Sequence, residues 1–360
     1  MSVKHAFMRY NNVQSEDSER KYDVCGLGNP LVDILTYVDD DFLKENNLHK
    51  GIMHLVDAER KAQLLEAVSE REYVMEVGGA CPNTISTLGL LGLRVALTGG
   101  IGNDLYGTFF EERLKERGID SFLRRLKEDT GVSIILITPD GERTMNTYLG
   151  ACREFRKEHL PVEMVKSSRF FYFTGYMWDT ENQKEAVKYA IDIARKNKVK
   201  VAFDLADPFA VERYRNEFLN LIRDRVDIVF ANAREAWLMQ KPESGQKAVS
   251  IQGKNIQRTT AYLGSLCETA VVKNGSRETH ISYTGKITIV PSFKTNVKDT
   301  TGAGDSFAAG FLYGLIKGYP LEKCGRIASF VASKTIEKVG AQAPENIKEL
   351  LDEMLLKDRG

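Results

Sequence analysis

The sequence predicts an α/β fold in which helices cover both faces of a mostly parallel sheet and a small β-sheet lid is inserted. Three observations predict it. The middle of the chain alternates strand-like and helix-like runs, strand ends open onto glycine-rich turns, and two segments break the alternation, one of them with a hairpin signal. In order, residues 22–25 form a strand opening onto Gly26-Leu27-Gly28-Asn29-Pro30, and a second strand-then-glycine join spans residues 95–102. Strands at 170–174, 200–204 and 227–231 then alternate with helices at 182–196, near 213–222 and from Arg234 onward. Helices of this length between strands imply right-handed crossovers, which lay the strands parallel and cover the sheet on both faces. Ala308, Phe311, Leu312 and Leu315 recur at helical spacing, so a buried helix starts near Ala303. Residues 35–55 and 119–148 do not fit the alternation; in the second, runs at 132–138 and 143–148 flank the hairpin turn Pro139-Asp140-Gly141. Antiparallel pieces inserted in a parallel sheet suit a lid that excludes water from a reaction, an edge hairpin of the main sheet being the plainer alternative. The expected partition is an N-terminal arm over 1–21, a large α/β domain over 22–34, 56–118 and 149–360, and the lid over 35–55 and 119–148.

Bulk composition narrows the partners. Over 360 residues, 50 Lys and Arg balance 50 Asp and Glu, and no block of like charge offers a field for nucleic acid or an anionic membrane. Cys25, Cys81, Cys152, Cys267 and Cys324 are scattered without a CxxC pair, which argues against a disulfide framework or a zinc site and for reduced, cytoplasmic thiols. His5, His49, His54, His159 and His280 show no ligand spacing. No apolar run approaches the roughly 20 residues a bilayer requires, and the N-terminus has no signal-peptide core. A soluble monomer or homodimer acting on a small molecule is the expectation.

The most informative stretch is Asp299-Thr300-Thr301-Gly302-Ala303-Gly304-Asp305-Ser306-Phe307, directly before the apolar helix. Small residues let backbone N–H groups approach an anion, and the helix N-terminus adds free donors, so Gly302, Ala303 and Gly304 form a cradle for a phosphoryl group. Asp305 sits in the first turn, where a carboxylate can take the proton of a hydroxyl aimed at that group. A tight turn with a dipole-favoured aspartate is the plainer reading. Neither Gly253-Lys254-Asn255 nor Gly285-Lys286-Ile287 makes a P-loop, and the two Gly-x-Gly turns lack the third glycine of a dinucleotide site. Asp33 is flanked by apolar residues that would bury it, and a buried carboxylate needs donors such as the two hydroxyls of a diol; a helix-cap or hinge aspartate is its alternative. Tyr176, just after Gly175, offers a face for a base at a strand end, although its aromatic neighbours read as strand core.

Asp-Thr-Thr-Gly-Ala-Gly-Asp opening a late helix resembles the C-terminal signature of the PfkB, or ribokinase-like, family. Gly78-Gly79-Ala80 with Asn83 is similar to that family's substrate-binding glycine pair and asparagine. Gly99-Gly100-Ile101-Gly102-Asn103-Asp104 with Gly107 resembles its N-terminal signature, and Asn232-Ala233-Arg234-Glu235 its NxxE motif. These landmarks stand in family order across residues 22–344. The resemblance implies a three-layer α/β/α core with a small β lid, ATP-dependent transfer, and Mg²⁺ organised by Asn232 and Glu235; it leaves the use of a monovalent cation open. It further implies that Arg143 reaches the transferring phosphate and that Asn232, Lys273, Gly275 and Thr301 line the nucleotide. Gly28-Asn29-Pro30-Leu31-Val32-Asp33, Asp41-Phe42-Leu43 and Gly310-Phe311-Leu312 narrow the likeness to the adenosine kinases and their bacterial relatives, which brings Asn29 to the substrate side. Cys81-Pro82 and Thr301 depart from the animal members of that group. A sugar kinase acting on ribose or fructose, and a non-catalytic nucleoside- or sugar-binding protein on the same fold, remain open as alternatives.

Overall fold

The computed structural model describes residues 20–240 and 254–358; the expected arm, apart from Arg20 and Lys21, lies outside the described residues, as does His5. Arg20 belongs to the body, its guanidinium donating to the carbonyls of Lys166, Ser168 and Asn197 at 2.7, 3.0 and 2.8 Å. Along the chain the strands are β1 (Tyr22–Leu27), β2 (Leu31–Tyr37), β3 (Met53–Leu55), β4 (Tyr73–Gly78), β5 (Val95–Thr98), β6 (Gly100–Ile101), β7 (Asp120–Ser121), β8 (Arg124–Arg125), β9 (Gly131–Ile137), β10 (Arg143–Tyr148), β11 (Ser168–Thr174), β12 (Lys200–Asp204), β13 (Ile228–Asn232), β14 (Thr269–Lys273), β15 (Glu278–Tyr283) and β16 (Lys286–Pro291). The large sheet runs β16-β15-β14-β13-β12-β11-β1-β5-β7. Every pairing from β14 to β7 is parallel, and β15 and β16 close one edge as an antiparallel hairpin.

Side chains alternate along a strand, so each strand feeds two apolar layers. Phe170 and Tyr172 of β11 enter one, with Phe311 and Leu312 of helix Ala303–Ile316 and Ile327 and Val331 of helix Leu321–Thr335. Phe171 and Phe173 enter the other, with Ala186, Val187, Ala190 and Ile191 of helix Glu181–Lys196. That helix starts where Thr180 caps it by accepting the Gln183 N–H, and its buried residues recur at three- and four-residue spacing. The result is the three-layer α/β/α core that the sequence implied. No helix among the described residues is long and apolar enough to cross a membrane.

A second sheet runs β3-β10-β9-β2-β4. Val32, Ile34, Val77, Ile134 and Leu136 point from one of its faces into the first apolar layer. The opposite face carries Asp33, register partner of Glu76 and Ser133, and Arg143 opposite Ile137. Its membership differs from the expected lid. Residues 31–34 and 73–78, expected in the large domain, belong to the small sheet, whereas Asp120–Ser121 pairs with β5 and Arg124–Arg125 with β6. β4 carries no apolar alternation in the sequence because it is an edge strand, with Tyr73 and Val74 exposed at 51% and 59%.

The chain enters β9 from the body at a polar knot. Asp104 caps helix Leu105–Glu116 by accepting the Gly107 N–H at 2.8 Å, and it also accepts the Thr130 N–H at 2.8 Å and hydroxyl at 2.6 Å. The Thr130 hydroxyl accepts in turn from the Gly102 N–H at 2.8 Å. The stretch resembling the N-terminal signature is thus a fastening between body and small sheet. Asp104→Ala removes a cap and strands a backbone donor, so it is expected to lower the free energy of unfolding by about 2 to 4 kcal/mol. A urea midpoint that barely moves would show that the knot contributes nothing.

Candidate active site

Asp204, Asn232 and Lys273 are the last residues of β12, β13 and β14, three neighbours in the large sheet. Open parallel sheets bind ligands beyond this edge. Gly302, the N-cap of helix Ala303–Ile316, has φ +74°, and a Cβ there would lie 2.1 Å from the Ala341 carbonyl oxygen. Only glycine makes this turn. It starts the helix so that Gly304 and Asp305 stand in its first turn beside Lys273, while the Ala303 N–H donates to the Thr300 carbonyl at 3.3 Å.

Asp305 is held by one oxygen. Its Oδ2 accepts from Asn83 Nδ2 at 2.9 Å, and Thr84 Oγ1 donates to its backbone carbonyl at 3.3 Å. Asn83 is oriented from behind by Gln342, whose Nε2 donates to Asn83 Oδ1 at 2.5 Å and to the Val77 carbonyl at 2.7 Å. The open cleft leaves Asp305 partly exposed, yet protein surrounds it closely enough that desolvation dominates and pushes its pKa up to about 7. The Asn83 bond and the Lys273 ammonium oppose that rise, and Asp204 adds to it.

Asp33, only 8% exposed, behaves alike: burial first, then Glu76 and Asp305, raise its pKa to about 7 against the pull of Arg143. The glycine pair acts by leaving room. A Cβ on Gly78 would stand 2.3 Å from Asp33 Cγ, and one on Gly79, at φ +95°, 2.1 Å from the Asn29 carbonyl oxygen. Asn29 is buried, its Oδ1 accepting from Gln183 Nε2 at 2.8 Å.

The Arg143 side chain is only 10% exposed; its Nη2 lies 2.5 Å from Asp299 Oδ2, and its Nη1 donates to Thr301 Oγ1 at 3.1 Å. Asp299 also accepts the Thr301 N–H and hydroxyl at 3.1 and 2.9 Å and the Gly340 N–H at 2.8 Å. Lys273 pairs with Asp204 at 3.0 Å. Gly275 is set apart, at the turn between β14 and β15 with open space around it and φ +59°, so a plain turn accounts for it. Tyr176, 37% exposed in the short turn Gly175–Trp178, has its hydroxyl pKa raised by burial and by Asp207, Asp305, Glu235 and Asp204.

Asn232 and Glu235 lock each other. Glu235, 2% exposed, accepts the Asn232 N–H on Oε2 at 2.8 Å and its amide Nδ2 on Oε1, while the Glu235 N–H donates to Asn232 Oδ1 at 2.9 Å. Both carboxylate oxygens are therefore occupied. This donor set suits a cation that keeps its own water and is held at one remove, as Mg²⁺ commonly is. Desolvation and Asp204 raise the Glu235 pKa. The sequence reading missed Asp204, Asp299, Glu76 and Gln342. Asp204 and Asp299 had signals, a carboxylate ending a predicted strand and the first residue of the glycine motif; Glu76 and Gln342 had none.

A model of the pfkB family of carbohydrate kinases matches residues 48–348. The solved structure of a probable sugar kinase from Rhizobium etli superposes with a TM-score of 0.83 at 33% identity, covering 94% of this chain and 99% of that one. That of adenosine kinase from Sinorhizobium meliloti gives 0.82 at 35% identity, covering 93% and 99%. Among curated relatives, adenosine kinase 2 of Arabidopsis thaliana is 25% identical over 349 residues, 91% of this chain and 98% of its own length.

The raised carboxylates fix the sign of one pH effect. With a folded pKa of about 7 against an ordinary value of 3.8, Asp305 binds protons more tightly folded than unfolded. Its contribution to stability falls as pH rises through that window. Asp305→Asn is expected to melt above wild type near pH 8 and to lose most of that margin near pH 5. An equal margin at both pH values would show that no proton is involved.

Proposed function

The chain belongs to the pfkB family of carbohydrate kinases, and from that premise we propose that it transfers the γ-phosphoryl group of ATP to the 5′-hydroxyl of a ribonucleoside, adenosine first among candidates. The observation that carries this reading is a pair of desolvated carboxylates, Asp33 from the small sheet and Asp305 from the glycine turn, near enough that the Asp305 charge raises the Asp33 pKa. Two residues along from Asp33, on the same face, Leu35 joins Ile135 and Ile137 in an apolar cluster with Met145 packed against it. A ribose diol can donate to Asp33 while a flat base lies on the apolar part, and Tyr176 supplies a further aromatic face. The named activities of the S. meliloti and A. thaliana relatives support adenosine.

In this mechanism the 5′-hydroxyl oxygen attacks the γ-phosphorus, the bond to the β,γ-bridging oxygen breaks, and Asp305 takes the hydroxyl proton. A base with a pKa near 7 is well matched to that task at neutral pH. Asn83 holds the carboxylate, the first-turn N–H groups receive charge on the transferred group, and Arg143 and Lys273 add positive charge. The small sheet excludes water. Bound Mg²⁺ would neutralise the triphosphate charge, with Asn232 and Glu235 holding it through water. The same reading keeps the chain cytoplasmic, as a monomer or homodimer without nucleic acid or membrane as partner. A sugar kinase is the second reading, favoured by the name of the R. etli relative.

Asp305→Asn is expected to lower kcat by roughly 100- to 10,000-fold while leaving ATP binding intact. Turnover above a tenth of wild type would remove Asp305 from the mechanism. Activity should cease in excess EDTA. Against adenosine, the 2′-deoxy and 3′-deoxy analogues should each lose about ten- to a hundredfold in kcat/KM. If both match adenosine, Asp33 does not grip the diol; if ribose or fructose turns over better than adenosine, the sugar-kinase reading replaces this one.

A further inference from the structure

One buried ion pair at the strand ends is used only by half in that mechanism. Asp204 ends β12 and Lys273 ends β14, so their contact at 3.0 Å bridges over the end of β13, with the side chains 5% and 15% exposed. Asp204 is itself fixed, because its Oδ1 accepts the Ala206 N–H at 2.9 Å. Ala206 takes φ +67°, a left-handed conformation that residues with a Cβ adopt at a cost. The ammonium ends 3.3 Å from the point where a Cβ on Gly304 would stand. Of the two glycines in the turn, Gly302 is packed against Ala341, whereas the space beside Gly304 is met by the Lys273 ammonium alone among the described residues. An ammonium on a flexible four-carbon stem has no direction of its own, so a partner must supply its position.

We propose that Asp204 is a positioning residue that holds the Lys273 ammonium at Gly304, where a fixed cation meets the charge that develops on the phosphoryl group during transfer. The inference rests on the kinase reading above and deepens it. A pair present only for folding would satisfy the burial of both charges, but it would not require the ammonium to stand at the open side of the cradle. The pair also faces the base. Around Asp305 the charged and titratable groups are Asp204 from β12, Lys273 from β14, Asp33 from β2, Tyr172 from β11, Cys81 from helix Ala80–Leu90, and Tyr176, with Glu235 acting on Lys273. Asp204 raises and Lys273 lowers the pKa of Asp305, so the two partners pull its titration in opposite directions.

The test is a double-mutant cycle on the full chain with ATP, Mg²⁺ and adenosine, read as kcat, KM and the acid limb of kcat/KM against pH. Lys273→Met should lower kcat by about 100-fold, as loss of one fixed donor of charge stabilisation does. Asp204→Asn keeps the shape and the acceptor for Ala206; it should lower kcat by about tenfold with little change in KM for adenosine. If Asp204 acts through Lys273, the double variant will be no slower than Lys273→Met alone. The acid limb should move to lower pH in Asp204→Asn and to higher pH in Lys273→Met. Should the single variants unfold because a buried charge is left alone, Asp204→Glu keeps the charge but displaces the ammonium. It should still lose about tenfold in kcat at an unchanged melting temperature. Losses that multiply in the double variant, an acid limb that stays put, or full activity in Asp204→Glu would each overturn the positioning role. A wild-type chain that phosphorylates neither nucleoside nor sugar would overturn the kinase reading and this inference with it, whereas an active wild type with multiplying losses overturns this inference alone.

Discussion

The site depends on a steric constraint, the close approach of two turns where the chain passes between its sheets. β1 leads through Gly28 and Asn29 into β2, and β4 leads through Gly78 and Gly79 into helix Ala80–Leu90. At this crossing a Cβ on Gly28 would lie 2.4 Å from Cys81 Cβ, and one on Gly79 would lie 2.1 Å from the Asn29 carbonyl. Nothing larger than hydrogen fits at either point. Because the turns touch, the helix begins where Asn83 reaches Asp305, and β2 begins where Asp33 faces the same cleft. One contact between backbones therefore sets the distance between two sheets and, with it, the separation of the two carboxylates.

The second organising force is desolvation. Asp33, Asp204, Glu235 and Asp299 are all 8% exposed or less, and Asp305 stands among them. Arg143 and Lys273 are the cations paired with this group. Two carboxylates, Asp204 and Asp299, have a cation in contact; Asp33, Asp305 and Glu235 do not, and burial raises all three, Asp33 and Asp305 to about 7. The rise follows from desolvation rather than from residue type, and a buried carboxylate without a contacting cation waits for a donor. A hydroxyl-bearing substrate and a proton in flight are such donors.

Much of this was legible in the sequence. The alternation after residue 170 determines the parallel sheet, because a helix of sixteen residues such as Glu181–Lys196 leaves a following strand little choice but a crossover. The glycine turn before Asp305 was legible for a similar reason: a run of small residues before an apolar helix has few structural uses. β4 was not, since an exposed edge strand need not alternate, and Glu76 within it points toward the cleft for reasons only the partner strand reveals. Gln342 could not have been found either. It lies 259 residues from Asn83, and a glutamine carries no local signature of the amide it will orient. Arg143 was placed on the right hairpin, but its engagement with Asp299 is a long-range contact that no window of sequence contains.

That last contact has an energetic side. Asp299 gathers Thr301, Gly340 and, from the small sheet, Arg143. Without Arg143, Asp299 would keep only neutral donors, the Thr301 and Gly340 groups. Loss of this pair is therefore a cost of any separation of the small sheet from the 299–301 turn, and it favours the arrangement in which the two are in contact.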